Sequence, residues 1–132
     1  MPGAMRTRIA AGLIFAIAGI AASAAAHHSV LGQFDVTKTI TLKGTITKVE
    51  WINPHPYVHL DVAGPNRAVT AWALSTVPLA MMRKAGITKE TLAGKAGEIV
   101  TVAAHPALNG RPMAWVTRIT YADGHFYALF EQ

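Results

Sequence analysis

Hydrophobic and polar positions alternate with a period of two through most of this chain, and the first clear run begins at Thr39. Ile40, Leu42 and Ile46 alternate with Thr41, Lys43, Thr45 and Thr47, the pattern of a half-buried strand rich in β-branched residues. The apolar parity then moves to Val49 and Trp51. A one-residue change of phase, with Gly44 just upstream, predicts a bulge or strong bend in a long first strand. Asn53-Pro54-His55-Pro56 ends the pairing, because each proline removes a ladder donor. Residues 57–63 form the second strand, with Val58, Leu60 and Val62 on one face and Tyr57, His59 and Asp61 on the other.

After a turn at Gly64-Pro65-Asn66, residues 68–74 read as a third strand. Ser75 or Thr76 can cap a helix that has Pro78 in its first turn. Leu79, Met81 and Met82 give that helix an apolar side, and Gly86 is a good stop. A short second turn runs from Thr88 through Leu92. Residues 98–104 form strand four, a loop covers 105–112, and residues 113–121 form strand five. Ala122-Asp123-Gly124 is a hairpin signal, with residues 125–130 pairing back as a short terminal strand. The fold expected is all-β with one helix: a small five-stranded OB-like Greek-key barrel, the helix between strands three and four plugging one end.

The stretch before the strands has a different character. Arg6 and Arg8 precede an apolar run over residues 9–20, and Ala24-x-Ala26 supplies small residues for cleavage. These are the three parts of a secretory signal peptide in the right order. The uncharged run to Ala26 approaches the ~20 residues of a membrane span, but its Ala and Gly content makes it only weakly hydrophobic. The expected organisation is a signal peptide over 1–26, an arm over 27–38 and the barrel over 39–132, in a periplasmic or secreted protein with no stable membrane insertion after cleavage. Cleavage after Ala24 is the alternative, and would leave Ala25 first.

Charge and cysteine content narrow the chemistry. Arg6 and Arg8 account for two of the 12 Lys and Arg residues, so the mature chain has ten basic and 7 acidic residues and a net charge of +3. That is too mild for a nucleic-acid partner. With Cys 0, disulfides, thiolate metal sites and cysteine nucleophiles are all excluded.

Cleavage after Ala26 would make His27 the first residue, joining a free α-amine and an imidazole on one residue. His28 or His55 could complete a nitrogen-rich site suited to copper or another divalent transition metal. Pro54 and Pro56 bracket His55 and lower the entropy cost of presenting its ring. The arm must fold back for His27 to meet it. His59 lies roughly 13 Å along the strand from His55 at ~3.3 Å per residue, too far to share an ion. The ordinary alternatives are a solvated terminal His-His pair and a His55 that holds its turn by a hydrogen bond.

A metal-free binding module is the second expectation. Trp51, Asn53, Tyr57 and His59, with Arg111 or Trp115, could present an amphipathic aromatic face to an envelope ligand or protein. Trp72 and Trp115 are equally suited to the core, which leaves Trp51 as the exposed ring. Asp61 shares a face with His59 and could orient it. No serine–histidine–aspartate placement or paired-carboxylate spacing supports catalysis, and an enzyme is not expected.

The motifs His27-His28-Ser29, Phe34-Asp35 and the run from Gly44 through Trp51-x-Asn53-Pro54-His55, with Trp72, Pro78-Leu79-x-Met81-Met82 and Ala122-Asp123-Gly124, resemble a family of small exported bacterial proteins of unknown function. The resemblance covers nearly the whole mature chain. It implies export and a β-barrel-like domain, with no established activity. The family pattern has a glycine near the end of strand four, where this chain has Ala104-His105.

Overall fold

The computed structural model describes residues 31–129. The chain divides into two units, Met1–Gln33 and Phe34–Gln132. Residues 31–33 are helical, and the second unit contains every strand among the described residues. The signal-peptide reading, both of its cleavage sites, and His27 and His28 lie outside the described residues.

Six strands form the second unit: β1 (Ile40–Glu50), β2 (Tyr57–Ala63), β3 (Val69–Ser75), β4 (Ile99–Pro106), β5 (Met113–Thr120) and β6 (Phe126–Ala128). Their order is β3-β2-β1-β4-β5-β6, and a parallel pairing of β3 with β5 closes the first five strands into a barrel. β1 is long enough to pair with β4 through its first half and with β2 through its second. A bent first strand shared by two neighbours, together with a β3–β5 closure, is the Greek-key connectivity of an OB-type barrel. The short β6 pairs only with β5.

The predicted phase change is a bulge. Ile46 pairs with Leu60 and Lys48 with His59, so Thr47 is the extra residue. A second register shift falls between Ala103 and Ala104, beside the position where the sequence departs from the family's glycine. Strand four runs on through His105 and Pro106, not into a loop at 105 as expected. Val58 and Leu60 of β2, Leu74 of β3, Val100, Val102 and Ala104 of β4, and Ala114, Val116 and Ile119 of β5 are all fully buried. In β2 and β4, and from Ala114 to Val116 in β5, they lie on alternate positions, as a closed barrel with one inward face requires. Thr117 is the extra residue opposite the step from Ala103 to Ala104, and this bulge shifts the inward phase of β5 to Ile119.

Between β3 and β4 the predicted helix and the short second turn after it are two short helices, α1 (Leu79–Lys84) and α2 (Lys89–Ala93). Gly86 separates them. Its φ of +73° lets its N–H reach the Arg83 carbonyl at 3.0 Å while that of Ile87 reaches Met82, also at 3.0 Å, a pair of bonds that terminates a helix. Leu79 and Met82 are buried as predicted, but Met81 faces out at 55% exposure. α2 opens with a reciprocal Thr88–Thr91 capping box.

The expected cap on α1 is not made. Pro78 occupies the N-cap without a side-chain bond, and Ser75 belongs to β3. Thr76 is fully buried, and its hydroxyl donates to the Pro56 carbonyl at 2.9 Å. A strand-to-loop contact has outcompeted a local cap, because a buried hydroxyl must be paired and the Pro56 carbonyl accepts it.

Candidate functional site

Asn53-Pro54-His55-Pro56 joins β1 to β2, and its backbone is tied to the start of the helical segment. The Thr76 N–H bonds to the Pro56 carbonyl at 3.1 Å, and that of Leu79 to the Pro54 carbonyl at 2.9 Å. The third tie is the imidazole itself. His55 Nδ1 lies 2.9 Å from the Thr76 carbonyl, and because a carbonyl only accepts, Nδ1 carries the proton. In the neutral ring Nε2 then holds the lone pair, and among the described residues it has no hydrogen-bond partner. The expectation that His55 bonds across its own proline turn and the expectation that it offers a free ring nitrogen are thus compatible.

The ring of His55 also meets Trp115 edge-on, with centroids 5.3 Å apart. Ala114 and Val116 point into the barrel, so alternation sends Trp115 outward. An outward indole would ordinarily be exposed. Trp115 is only 5% exposed because two sequence-distant rings cover it: His55 from the β1–β2 loop, and Phe34 from the arm at 6.1 Å. The reading of Trp115 as a core side chain is correct for burial and wrong for direction. Its burial also removes it from the predicted aromatic binding face.

Phe34 to Lys38 accordingly pack on the barrel. Phe34 bridges Ala107, and the Asp35 N–H bonds to the Pro106 carbonyl at 2.9 Å. His105 Nδ1 donates to the Lys38 carbonyl at 2.7 Å. The Asp35 carboxylate pairs with Lys38 at 3.1 Å. Hydrogen bonds from the Thr37 hydroxyl, then from Lys38, hold the Asp35 carboxyl below the usual aspartate range. Nothing in the local pattern of the arm signals this docking, since its partners lie some seventy residues away. Phe34 in a polar stretch is the one hint.

The predicted binding-face residues fall on the same end and the adjoining outer face of β2. Trp51 is half-buried, not the freely exposed ring expected, and Trp72 is half-buried rather than core. Ile52 and Asn53 are exposed. Arg111 is exposed in the β4–β5 loop, its N–H on Asn109 Oδ1 at 3.0 Å. Tyr57 and His59 are half-buried on β2. The carboxylate against His59 is Glu50, not Asp61: Nε2 lies 3.5 Å from Glu50 Oε1 across the strand pair. Lys48 bonds the same Glu50 oxygen and is the main reason its carboxyl titrates below the ordinary glutamate range. The bulge at Thr47 brings Lys48 opposite His59, so the Lys48–Glu50–His59 group exists only in the folded register.

A second oriented histidine, His125, stacks flat on Tyr121 at 4.3 Å and gives its Nδ1–H to Asp123. Its turn is also bonded to Glu98, whose Oε2 accepts the Ala122 N–H at 3.2 Å. Among the described residues no group of three or more His, Asp or Glu is placed to hold a metal ion. Likewise no described helix is long and apolar enough to cross a membrane. No curated protein and no solved structure matches the chain in comparisons with known proteins. Comparison with protein families matches residues 15–127, most of the chain, and the protein belongs to the family of unknown function DUF6152.

Proposed function

We propose that this chain is an exported envelope protein that binds a divalent transition metal of the copper type, without catalysis, through His27, His28 and His55. The observation that carries the reading is the orientation of His55. A metal-ligating imidazole characteristically gives its other ring N–H to a carbonyl or carboxylate, which fixes the tautomer and the ring plane. His55 does this with Thr76, in a loop bonded to the helical segment at two further points. Cleavage after Ala26 supplies an α-amine and an imidazole on His27, and nitrogen donors of this kind suit Cu(II), Ni(II) or Zn(II).

The covalent distance supports the same reading. Phe34 sits on the indole that His55 touches, and it lies seven positions after His27 in the chain. At up to about 3.5 Å per extended residue this chain length is ample to return to the neighbouring ring.

Calorimetry with Cu(II) on protein that begins at His27 with a free amine tests the proposal. Binding at about micromolar affinity or tighter is expected, weakened about tenfold or more in His55→Ala and weakened again by one extra N-terminal methionine. Equal affinity in wild type and His55→Ala would reduce the site to terminal chelation alone. Absence of binding in every form would leave the metal-free reading, in which Trp51, Asn53, Tyr57, His59 and Arg111 contact an envelope ligand or protein.

A further inference from the structure

Two turns of the barrel share one construction. In the β4–β5 loop Asn109 Oδ1 accepts the Arg111 N–H at 3.0 Å, and in the β5–β6 hairpin Asp123 Oδ1 accepts the His125 N–H, also at 3.0 Å. Each acceptor is followed by a glycine in the left-handed region, with φ of +72° at Gly110 and +91° at Gly124. A bond of this kind folds the side chain back into a ring that encloses the glycine nitrogen. Asn109 and Gly110 are both exposed, and a Cβ on Gly110 would meet nothing within 4 Å. The Gly110 N–H reaches the Ala107 carbonyl only at 3.3 Å, where that of Gly124 reaches Tyr121 at 3.0 Å. Its proton is the less firmly held of the two.

We propose that Asn109 is a site of spontaneous modification, where the Gly110 nitrogen closes on the side-chain amide and water opens the resulting succinimide to aspartate and isoaspartate. Hydroxide removes the Gly110 amide proton, and the nitrogen forms a bond to Asn109 Cγ. The Cγ–Nδ2 bond then breaks, and ammonia leaves with a proton taken from water. Water adds to either carbonyl of the ring: cleavage between Cγ and the Gly110 nitrogen gives aspartate, and cleavage at the main-chain carbonyl gives isoaspartate. During the attack negative charge gathers on Oδ1. The Arg111 N–H already stands 3.0 Å from that atom, the distance of an oxyanion donor.

The other candidate positions lack one part each. Asp123 has the same turn, but the His125 backbone N–H, and then its ring, hold the carboxyl in its ionised form, which is a poor electrophile. Asn53 precedes Pro54, whose nitrogen has no proton to lose. Asn66 precedes Arg67, whose side chain crowds the attacking nitrogen. The product matters to the fold at one point. Isoaspartate adds a methylene to the main chain of the loop whose Pro112 carbonyl takes the Ala73 N–H at 3.0 Å.

The test is peptide mapping by mass spectrometry of the folded protein held for days in mildly alkaline buffer. The peptide that contains Asn109 should gain about one dalton, with isoaspartate the main product and a rate that rises with pH. Peptides that contain Asn53 and Asn66 should keep their masses over the same time, and Asn109→Gln should abolish the gain. The folded protein should convert at a rate within about tenfold of the chain unfolded in urea. Conversion confined to the unfolded chain would overturn the proposal, because the turn would then protect Asn109. Conversion at Asn66 as fast as at Asn109 would overturn it too, as would an unchanged mass at Asn109 in both states.

Discussion

Gly44 lies in β1 where β2 comes too close for any side chain. A Cβ at this position would overlap the Asp61 carbonyl oxygen and stand 2.9 Å from its carbon, with the Leu60 side chain at 3.2 Å. A glycine inside a strand normally costs stability relative to alanine, so Gly44→Ala would be mildly stabilising if propensity decided the matter. Here backbone meets backbone, and the overlap can be relieved only by parting β1 from β2. Gly44→Ala is expected to cost about 3 kcal/mol in urea unfolding, and an unchanged midpoint would show that the two strands can separate without loss. The sequence marks Gly44 as a bend signal. Its closeness to Asp61 is visible only with β2 in place.

The β5–β6 hairpin is held by a turn that titrates. Asp123 accepts the backbone N–H of His125 at 3.0 Å and also its ring N–H. These two bonds, the backbone one first, hold the Asp123 carboxyl below its ordinary value of 3.8. A carboxyl whose folded pKa is depressed contributes stability above its unfolded pKa and loses it as pH falls through the folded value. The hairpin should therefore loosen in acid. Amide exchange at Leu129, whose N–H bonds to Thr117 at 2.8 Å, is expected to accelerate relative to the barrel strands as pH falls from about 5 to about 3. Asp123→Asn should flatten that relative pH dependence, and the same dependence in both proteins would rule Asp123 out as its source. At the far side of this element, burial pushes the Tyr121 hydroxyl pKa up, and the hydroxyl donates to the Leu92 carbonyl at 2.6 Å. The turn and the strand pairing were legible in the alternation and in Ala122-Asp123-Gly124. The carboxylate–imidazole bond and the stacking on Tyr121 were not, because they depend on side-chain directions set by the hairpin's register.

For the molecule as a whole, a cysteine-free chain with one barrel core has only packing and hydrogen bonds to hold it. The sixty or so residues that separate His55 from Trp115 and the eighty between Phe34 and Trp115 are bridged by the closure of that barrel. The reading as an exported protein carries its own expectation. Expressed from Met1 in a bacterium with an export pathway, the protein should be recovered from the periplasm or medium with an intact mass corresponding to a chain that begins at His27. A mass matching Ala25 as first residue would remove the terminal chelate, and a full-length mass in the membrane fraction would overturn export with cleavage.

The strands, their order and the bulge in β1 were determined by the sequence alone, because a period of two is a local property and a slipped phase is visible wherever it occurs. The loop that carries His55 was likewise legible from its two prolines. What covers Trp115, what Thr76 bonds to, and which carboxylate faces His59 were decided only by the tertiary structure. In each case the partner lies in another element, and closing the barrel chose it. Trp115 shows the reason most plainly: alternation correctly sends it outward, and its burial is imposed by Phe34 and His55, two side chains that only the closed barrel brings to the same ring.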